Sequence, residues 1–331
     1  MNYNSTITGW GKYVPRQVLT NDSISKFVDT SDKWISGRTG IKQRHIAEED
    51  ETIVTMAVEA SKKALEVADL KPEQLDMIIL VTSEAGSNVP SVASRIQGSL
   101  NAKNAAAFDV LAACSGFIVG LSTADAFIKS GTYESVLVVA AEKLSHIVDW
   151  TDRNTCILFG DGAGAVVVER SEEPGILGSK LHCDGSFSDV LYLPNSREAV
   201  GNGKLGSKMN TDSFLKMKGH ELFVIAVQAG VDVIREISEL YNVSFEDVDL
   251  IIAHQANVKI LAEISNMLEL SEDKVFTVLS KYGNIAAASI PLTLCEALEN
   301  GKIKKGDTII FTGFGAGLTW GANIIKWNPR K

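Results

Sequence analysis

The sequence predicts an α/β fold made of two similar halves, with mixed β-sheets covered by helices. Three observations carry this. Segments with apolar residues at helical spacing alternate with short runs rich in Val and Ile, the pattern of strands buried on both faces. The same order of segments occurs twice. The paired helices also end on a glycine at the same distance from their start. The chain has 331 residues, 45% of them hydrophobic and 22% charged, enough to bury a large core.

Taken in order, "ETIVTMAVEASKKALEVADL" (51–70) predicts an amphipathic helix and "LDMIILVTS" (75–83) the strand after it. "CSGFIVGLSTADAFIKSG" (114–131) predicts a second helix closed by Gly131, and "SVLVVAAE" a second strand. "FGDGAGAVVVE" (159–169) predicts a glycine run leading into a strand. The later repeats are "LFVIAVQAGVDVIREISELYNV" (222–243) with "VDLIIAHQAN" (248–257), then "NIAAASIPLTLCEALENG" (284–301) with "DTIIFTGFG", and finally "FGAGLTWGANIIKW" (314–327). The halves are expected at 1–172 and 173–331. Between them, "LPNSREAVGNGKLGSKMNTDS" (193–213) is aperiodic and rich in Gly, Asn, Ser and Lys, as expected of an exposed functional loop.

Composition excludes several classes of function. A net charge of −9 argues against general nucleic-acid binding. The four cysteines (114, 156, 183, 295) form no C-x-x-C pair, and His182-Cys183 is too tight for zinc, so no metal site is expected. The start "MNYNSTITGWGKY" lacks a basic-plus-apolar signal, and no uncharged apolar stretch is long enough to span a bilayer. A cytoplasmic protein with reduced thiols, no membrane partner and no cofactor is the expectation.

The repeat also places candidate chemistry. Cys114 and Asn284 open the paired helices, and His254 ends its strand; strand ends and helix starts are where ligands gather in α/β sheets. A thiol at a helix start meets N–H groups and a dipole that favour the thiolate, although a free cysteine is often mere packing. His254 in "AHQAN" sits beside two further polar side chains, which reads as a site wall, although a lone core histidine is the alternative. Asn284 fits an N-cap or a ligand-facing amide. "FGDGAGA" leads into a strand and so fails as a phosphate loop, whereas "GFGAGLTWG" could supply backbone N–H groups to an oxyanion. "DTSDKWISGRTGIKQRHIAEED" combines Trp34 with Arg38 and Arg44, which suits either a phosphate-and-base grip or a solvated helix face.

"DTSDKWISGRTGI", "DVLAACSGF", "TDRNTCILFGDGAGA", "HQANVKI", "YGNIAAAS" and "GFGAGLTWG", in this order from residue 29 to 321, resemble the β-ketoacyl-acyl-carrier-protein synthase III family. The resemblance implies the thiolase fold, a duplicated five-layer αβαβα sandwich, and a homodimer. It implies that Cys114 takes an acyl group from acyl-coenzyme A. Malonyl-acyl carrier protein then loses carbon dioxide, and its enolate attacks the Cys114 thioester to start a fatty acid. His254 and Asn284 would stabilise the enolate oxygen, and the backbone N–H groups of Cys114 and Ala316 would form the oxyanion hole. Trp34, Arg38 and Arg153 would line the coenzyme A entrance, and Lys259 would meet the carrier protein. Val89, where some members have Phe, would close the acyl pocket of the partner subunit. Asn266 and Met267 stand where the family often has basic residues, so carrier docking is expected to be weaker or displaced. The alternatives are a related acyltransferase or condensing enzyme of secondary metabolism, or a non-catalytic partner subunit.

Overall fold

The computed structural model describes residues 3–83, 89–194 and 214–329. The strands, in chain order, are β1 (Asn4–Tyr13), β2 (Gln17–Thr20), β3 (Gln43–Ile46), β4 (Met77–Val81), β5 (Ala106–Val110), β6 (Ser135–Lys143) and β7 (Asp161–Ser171). They continue as β8 (Ile176–Cys183), β9 (Leu191–Tyr192), β10 (Lys216–Met217), β11 (Leu250–Ala253), β12 (Thr308–Gly315) and β13 (Thr319–Lys326). One sheet has the order β1-β7-β6-β4-β5 and the other β11-β12-β13-β8. Both are mixed: β4 runs parallel to β5 and β6, and β11 runs parallel to β12, while β7 and β13 pair antiparallel with their neighbours.

The strands are apolar throughout because both faces are covered. Alternate residues point to opposite faces. Thus Met77, Ile79 and Val81 enter a core shared with the helices Gly116–Lys129 and Ser289–Glu299 and with the second sheet's Ile309 and Phe311. Ile78 and Leu80 instead meet the helices Ile53–Ala68 and Val92–Leu100. On the far side of the second sheet, Ile251, Ile310 and Ile324 pack against Gly219–Leu240 and Val258–Met267. The layers therefore run helix, sheet, helix pair, sheet, helix. Each central helix ends where expected, followed by a glycine in the left-handed region, Gly131 (φ 76°) and Gly301 (φ 65°). The reading of 193–213 falls almost wholly outside the described residues.

The central helices begin later than the sequence suggests. Cys114 lies in a 3₁₀ turn, Ala113–Ser115, ahead of the helix. Asn284 precedes a matching turn, Ala286–Ala288, before the helix at Ser289. In both turns a non-glycine residue takes positive φ, Ala113 at 45° and Ala286 at 40°. The two turns pack together, with an ideal Cβ on Gly116 only 3.4 Å from Ala287 Cβ. This contact brings the two repeats' loops to one place.

Candidate active site

Cys114 is held between the second sheet and the Ala286–Ala288 turn. A Cβ on Gly315, at the end of β12, would lie 2.7 Å from Cys114 N, so only glycine lets the strand approach that amide. Ala316 follows directly. Ser115 Oγ and Thr319 Oγ lie 2.8 Å apart and tie the cysteine turn to β13. Burial, and after it the charge of Glu142, pushes the Cys114 thiol up to about 12. Burial therefore opposes the thiolate that N–H groups at a helix start would favour.

His254 directly follows β11, with its N–H donating to Thr312 O at 2.8 Å. Its ring meets Phe314 edge-on at 5.6 Å. Nδ1 lies 2.9 Å from Ser289 Oγ, which also accepts from Gln255 N–H (3.2 Å) and donates to Ala286 O (2.7 Å). Burial pushes the imidazole down to about 3, so it rests neutral. Of the polar residues beside it, Asn257 caps the helix Val258–Met267 by accepting from Lys259 N–H and lines the cleft. Gln255 is not a wall: it is fully buried, donates to Ala253 O, and accepts from Thr277 Oγ and Val278 N–H.

Asn284 takes the capping role. Its Oδ1 accepts from Ala286 N–H at 2.9 Å and so caps the turn. This fixes the amide plane and leaves Nδ2 as a donor on a residue that lines the cleft. Its backbone is clamped from both sides, Asn284 N–H to Leu158 O (2.9 Å) and Gly160 N–H to Asn284 O (3.0 Å).

Two buried ionisable residues at this site escaped the sequence reading of their roles. Glu142, in β6, is fully buried and accepts from Ser83 N–H (3.0 Å), Ser83 Oγ (2.9 Å) and Ala287 N–H (3.2 Å). Burial pushes its carboxyl up to about 8. Arg44 is not part of any phosphate grip. It is fully buried and donates to Asn21 Oδ1 (2.8 Å), Leu19 O and Ile157 O, with its Cβ close beneath Gly160 and Gly283. It braces the segment that clamps Asn284.

A cleft of about 610 Å³ is lined by Asn284 together with Trp34, Arg38, Asn257, Lys259 and His220, and Cys114 and His254 are not among its lining residues. Arg38 and Arg153 both lie against the Trp34 ring, 5.1 and 4.7 Å from its centre. An aromatic between two guanidinium groups suits a ligand with phosphates. Arg153 does not itself line the cleft and donates to Asp29 O at 3.0 Å. Exposed Arg235, from the helix Gly219–Leu240, donates to Met267 O at 2.8 Å and brings a positive charge to the surface where Asn266 and Met267 lack one. Val89 stands 89% exposed and is not among the residues lining this cleft.

The chain matches the 3-oxoacyl-[acyl-carrier-protein] synthase III family over residues 108–185 and that family's C-terminal part over 239–327. It is 49% identical to a β-ketoacyl-[acyl-carrier-protein] synthase III of Aquifex aeolicus over 97% of this chain and 99% of the relative. A relative of the same name from Caldanaerobacter subterraneus is 48% identical, with 97% of each chain covered. This chain belongs to the synthase III family. The solved Aquifex aeolicus enzyme superposes with a TM-score of 0.91, covering 98% of this chain and all of the other. A priming β-ketosynthase of the R1128 polyketide pathway, 34% identical, gives 0.93 over 99% and 98%. The layered architecture is thus the thiolase fold of synthase III, and the chain is an acyltransferase of the condensing type. No helix among the described residues is long and apolar enough to cross a membrane.

Proposed function

We propose that this synthase starts fatty-acid chains by condensing an acyl-coenzyme A primer with malonyl-acyl carrier protein. Cys114 attacks the primer thioester, and the coenzyme A sulfur leaves. The N–H groups of Cys114 and Ala316 hold the tetrahedral oxyanion. The malonyl carboxylate then departs as carbon dioxide, and His254 and Asn284 hold the enolate oxygen. The enolate carbon attacks the Cys114 thioester and releases the β-ketoacyl product. The observation that carries this reading is the packing of the Cys114 turn against the Ala286–Ala288 turn, with His254 Nδ1 2.9 Å from Ser289 Oγ just after that turn, and Asn284 just before it lining a cleft with Trp34 and Arg38. The test is intact-mass analysis after incubation with acyl-coenzyme A. Cys114 should gain the acyl mass and pass it to malonyl-acyl carrier protein; labelling of Cys156, Cys183 or Cys295 instead would refute it.

Trp34, Arg38 and Arg153 form the coenzyme A entrance in this reading, and Lys259 with Arg235 receives the acidic carrier. The enzyme works in the cytoplasm as a homodimer. Support for the dimer is the place of β5 at the edge of its sheet among the described residues, with Leu111 directly after it 66% exposed. Val89 would close the partner's acyl pocket. The division into halves at 1–172 and 173–331 belongs to the same proposal, since each large sheet draws its strands from one side of that boundary. The polyketide priming relative favours a second reading, a starter condensation in secondary metabolism; a comparison of fatty-acid and polyketide carrier proteins as acceptors separates the two.

A further inference from the structure

Arg44 is fully buried, and its partners among the described residues are all neutral oxygens: Asn21 Oδ1 (2.8 Å), Leu19 O (3.3 Å) and Ile157 O. Its Nε has no hydrogen-bond partner among the described residues. Burial pushes the guanidinium down to about 10, still far above neutrality, so the fold holds a cation with no counter-charge among the described residues. Such a group costs folding free energy that an apolar side chain of similar size would avoid. What the guanidinium does is join two walls of the cleft. On one side, Asn21 Oδ1 faces a group that can only donate, so its Nδ2 turns to Asp32 Oδ1 (2.8 Å) and Ile41 O (2.7 Å). These two acceptors stand at the start of the helix Asp32–Thr39 and just past its end, and that helix carries Trp34 and Arg38. On the other side, the guanidinium donates to Ile157 O, and the next carbonyl, Leu158 O, accepts from Asn284 N–H at 2.9 Å. Ile157, Leu158 and Asn284 line the same cleft as Trp34 and Arg38.

We propose that Arg44 is a positioning residue that holds the helix bearing Trp34 and Arg38 at a fixed spacing from the Ile157–Leu158 wall, so that one guanidinium sets both the seat of the coenzyme A substrate and the place of Asn284. This rests on the reading of that helix as the coenzyme A entrance and of Asn284 as a donor to the enolate. The planar fork is what suits Arg44 to the task. One nitrogen reaches the Asn21 amide and the other reaches Ile157 O, so the two walls are tied through a rigid group. A lysine would bring the charge to a single point and could not span the same two acceptors in that geometry. The two ties are separable. Asn21 serves only the helix side, through Asp32 and Ile41, whereas Arg44 serves both.

The experiment measures KM for acetyl-coenzyme A and, separately, the rate at which enzyme already acylated on Cys114 condenses with malonyl-acyl carrier protein, with thermal melting beside both. Asn21→Asp keeps the oxygen that Arg44 needs and replaces the donor toward Asp32 with an acceptor. It should raise KM and leave condensation of the acyl-enzyme at the parental rate. Arg44→Met, which fills the space without the fork, should raise KM and also slow condensation about 10- to 100-fold, the scale of a small misplacement far from the chemistry. Arg44→Lys should behave as Arg44→Met does; restoration of both quantities by lysine would show that charge alone matters and would overturn the proposal. So would a folded Arg44→Met protein with parental values. Where Arg44→Met does not fold, Asn21→Asp decides, since it leaves Arg44 and its carbonyl partners in place: an unchanged KM overturns the proposal and the KM-only effect supports it. Trp34→Ala keeps the two readings apart. If it leaves KM for acetyl-coenzyme A unchanged, the entrance reading fails and this inference with it. If it raises KM while Asn21→Asp and Arg44→Met do not, only the role of Arg44 fails.

Discussion

Gly315→Ala is the sharpest probe of the site, because the collision it makes is with the backbone of the proposed nucleophile. The new Cβ would stand 2.7 Å from Cys114 N, 2.9 Å from Cys114 Cβ and 3.2 Å from Cys114 Cα. Ordinary contact begins at 3.4 Å, so strand and turn must part by about 0.7 Å. Neither side is the end of a flexible chain. The strand is pinned in the β12–β13 ladder, and the turn is tied to β13 through Ser115 and Thr319. Gly315 has no positive φ, so the substitution acts by space alone. An oxyanion donor works only at about 2.7–3.1 Å, so a shift of this size removes it, at a cost of about 100- to 1,000-fold in rate.

The assay is the rate at which Cys114 gains acyl mass from acyl-coenzyme A, with thermal melting run beside it. Gly313→Ala supplies an intermediate case, since its nearest contacts are 3.2–3.3 Å, and Gly98→Ala a control with nothing within 4 Å. Acylation should fall in the order Gly98→Ala, Gly313→Ala, Gly315→Ala. Parental acylation by a folded Gly315→Ala protein would refute the argument that this amide must sit against the strand.

Four further outcomes follow from the same geometry. Asn284→Asp keeps the oxygen that caps the turn but replaces the ligand-facing donor with an acceptor, so condensation should fall about 100-fold or more while Cys114 acylation persists; equal loss in both steps would argue against a role confined to the enolate. Lys259→Glu with Arg235→Glu should raise KM for malonyl-acyl carrier protein and leave that for acyl-coenzyme A unchanged, and added salt should weaken the wild-type carrier interaction because exposed charges are screened over about 10 Å at 0.1 M. Above pH 8, where the Glu142 carboxyl is ionised, Glu142→Gln should speed iodoacetamide alkylation of Cys114 by removing a nearby negative charge. It should also flatten stability against pH: the Glu142 carboxyl titrates higher in the fold, about 8 against 4.5, so its contribution is greatest below 4.5 and is lost as pH rises to 8, a loss that glutamine cannot show and chemical denaturation at several pH values would reveal. Val89→Phe should shift primer preference toward acetyl through the partner's pocket, since each methylene that loses apolar contact forfeits about 0.8 kcal/mol; an unchanged ranking of acyl-coenzyme A lengths would remove Val89 from the pocket.

The layers and the Cys114, His254 and Asn284 positions were legible because they leave marks along the chain: repeated periods, terminal glycines, a thiol or histidine where an apolar run stops. What stayed hidden has its cause elsewhere in the chain. Glu142 ends an eight-residue run of β6 in which everything else is apolar or small, and its partners Ser83 and Ala287 are 59 and 145 residues away. A charge inside a strand covered on both faces was the available signal, since burying it without several donors would cost more than the strand could offset. Arg44 is the harder case. It looked like one more basic residue in a polar stretch, and only the folded chain brings Ile157 O, 113 residues on, to its guanidinium. Ser289 is hardest of all, because serine breaks no pattern in "AAASIP". Its contacts, accepting from Gln255 N–H, donating to Ala286 O and lying 2.9 Å from His254 Nδ1, exist only once distant segments have met. The general distinction is physical. Periodicity reports which residues face apolar surroundings, whereas the chemistry of a buried site depends on how donors and acceptors from distant segments saturate one another.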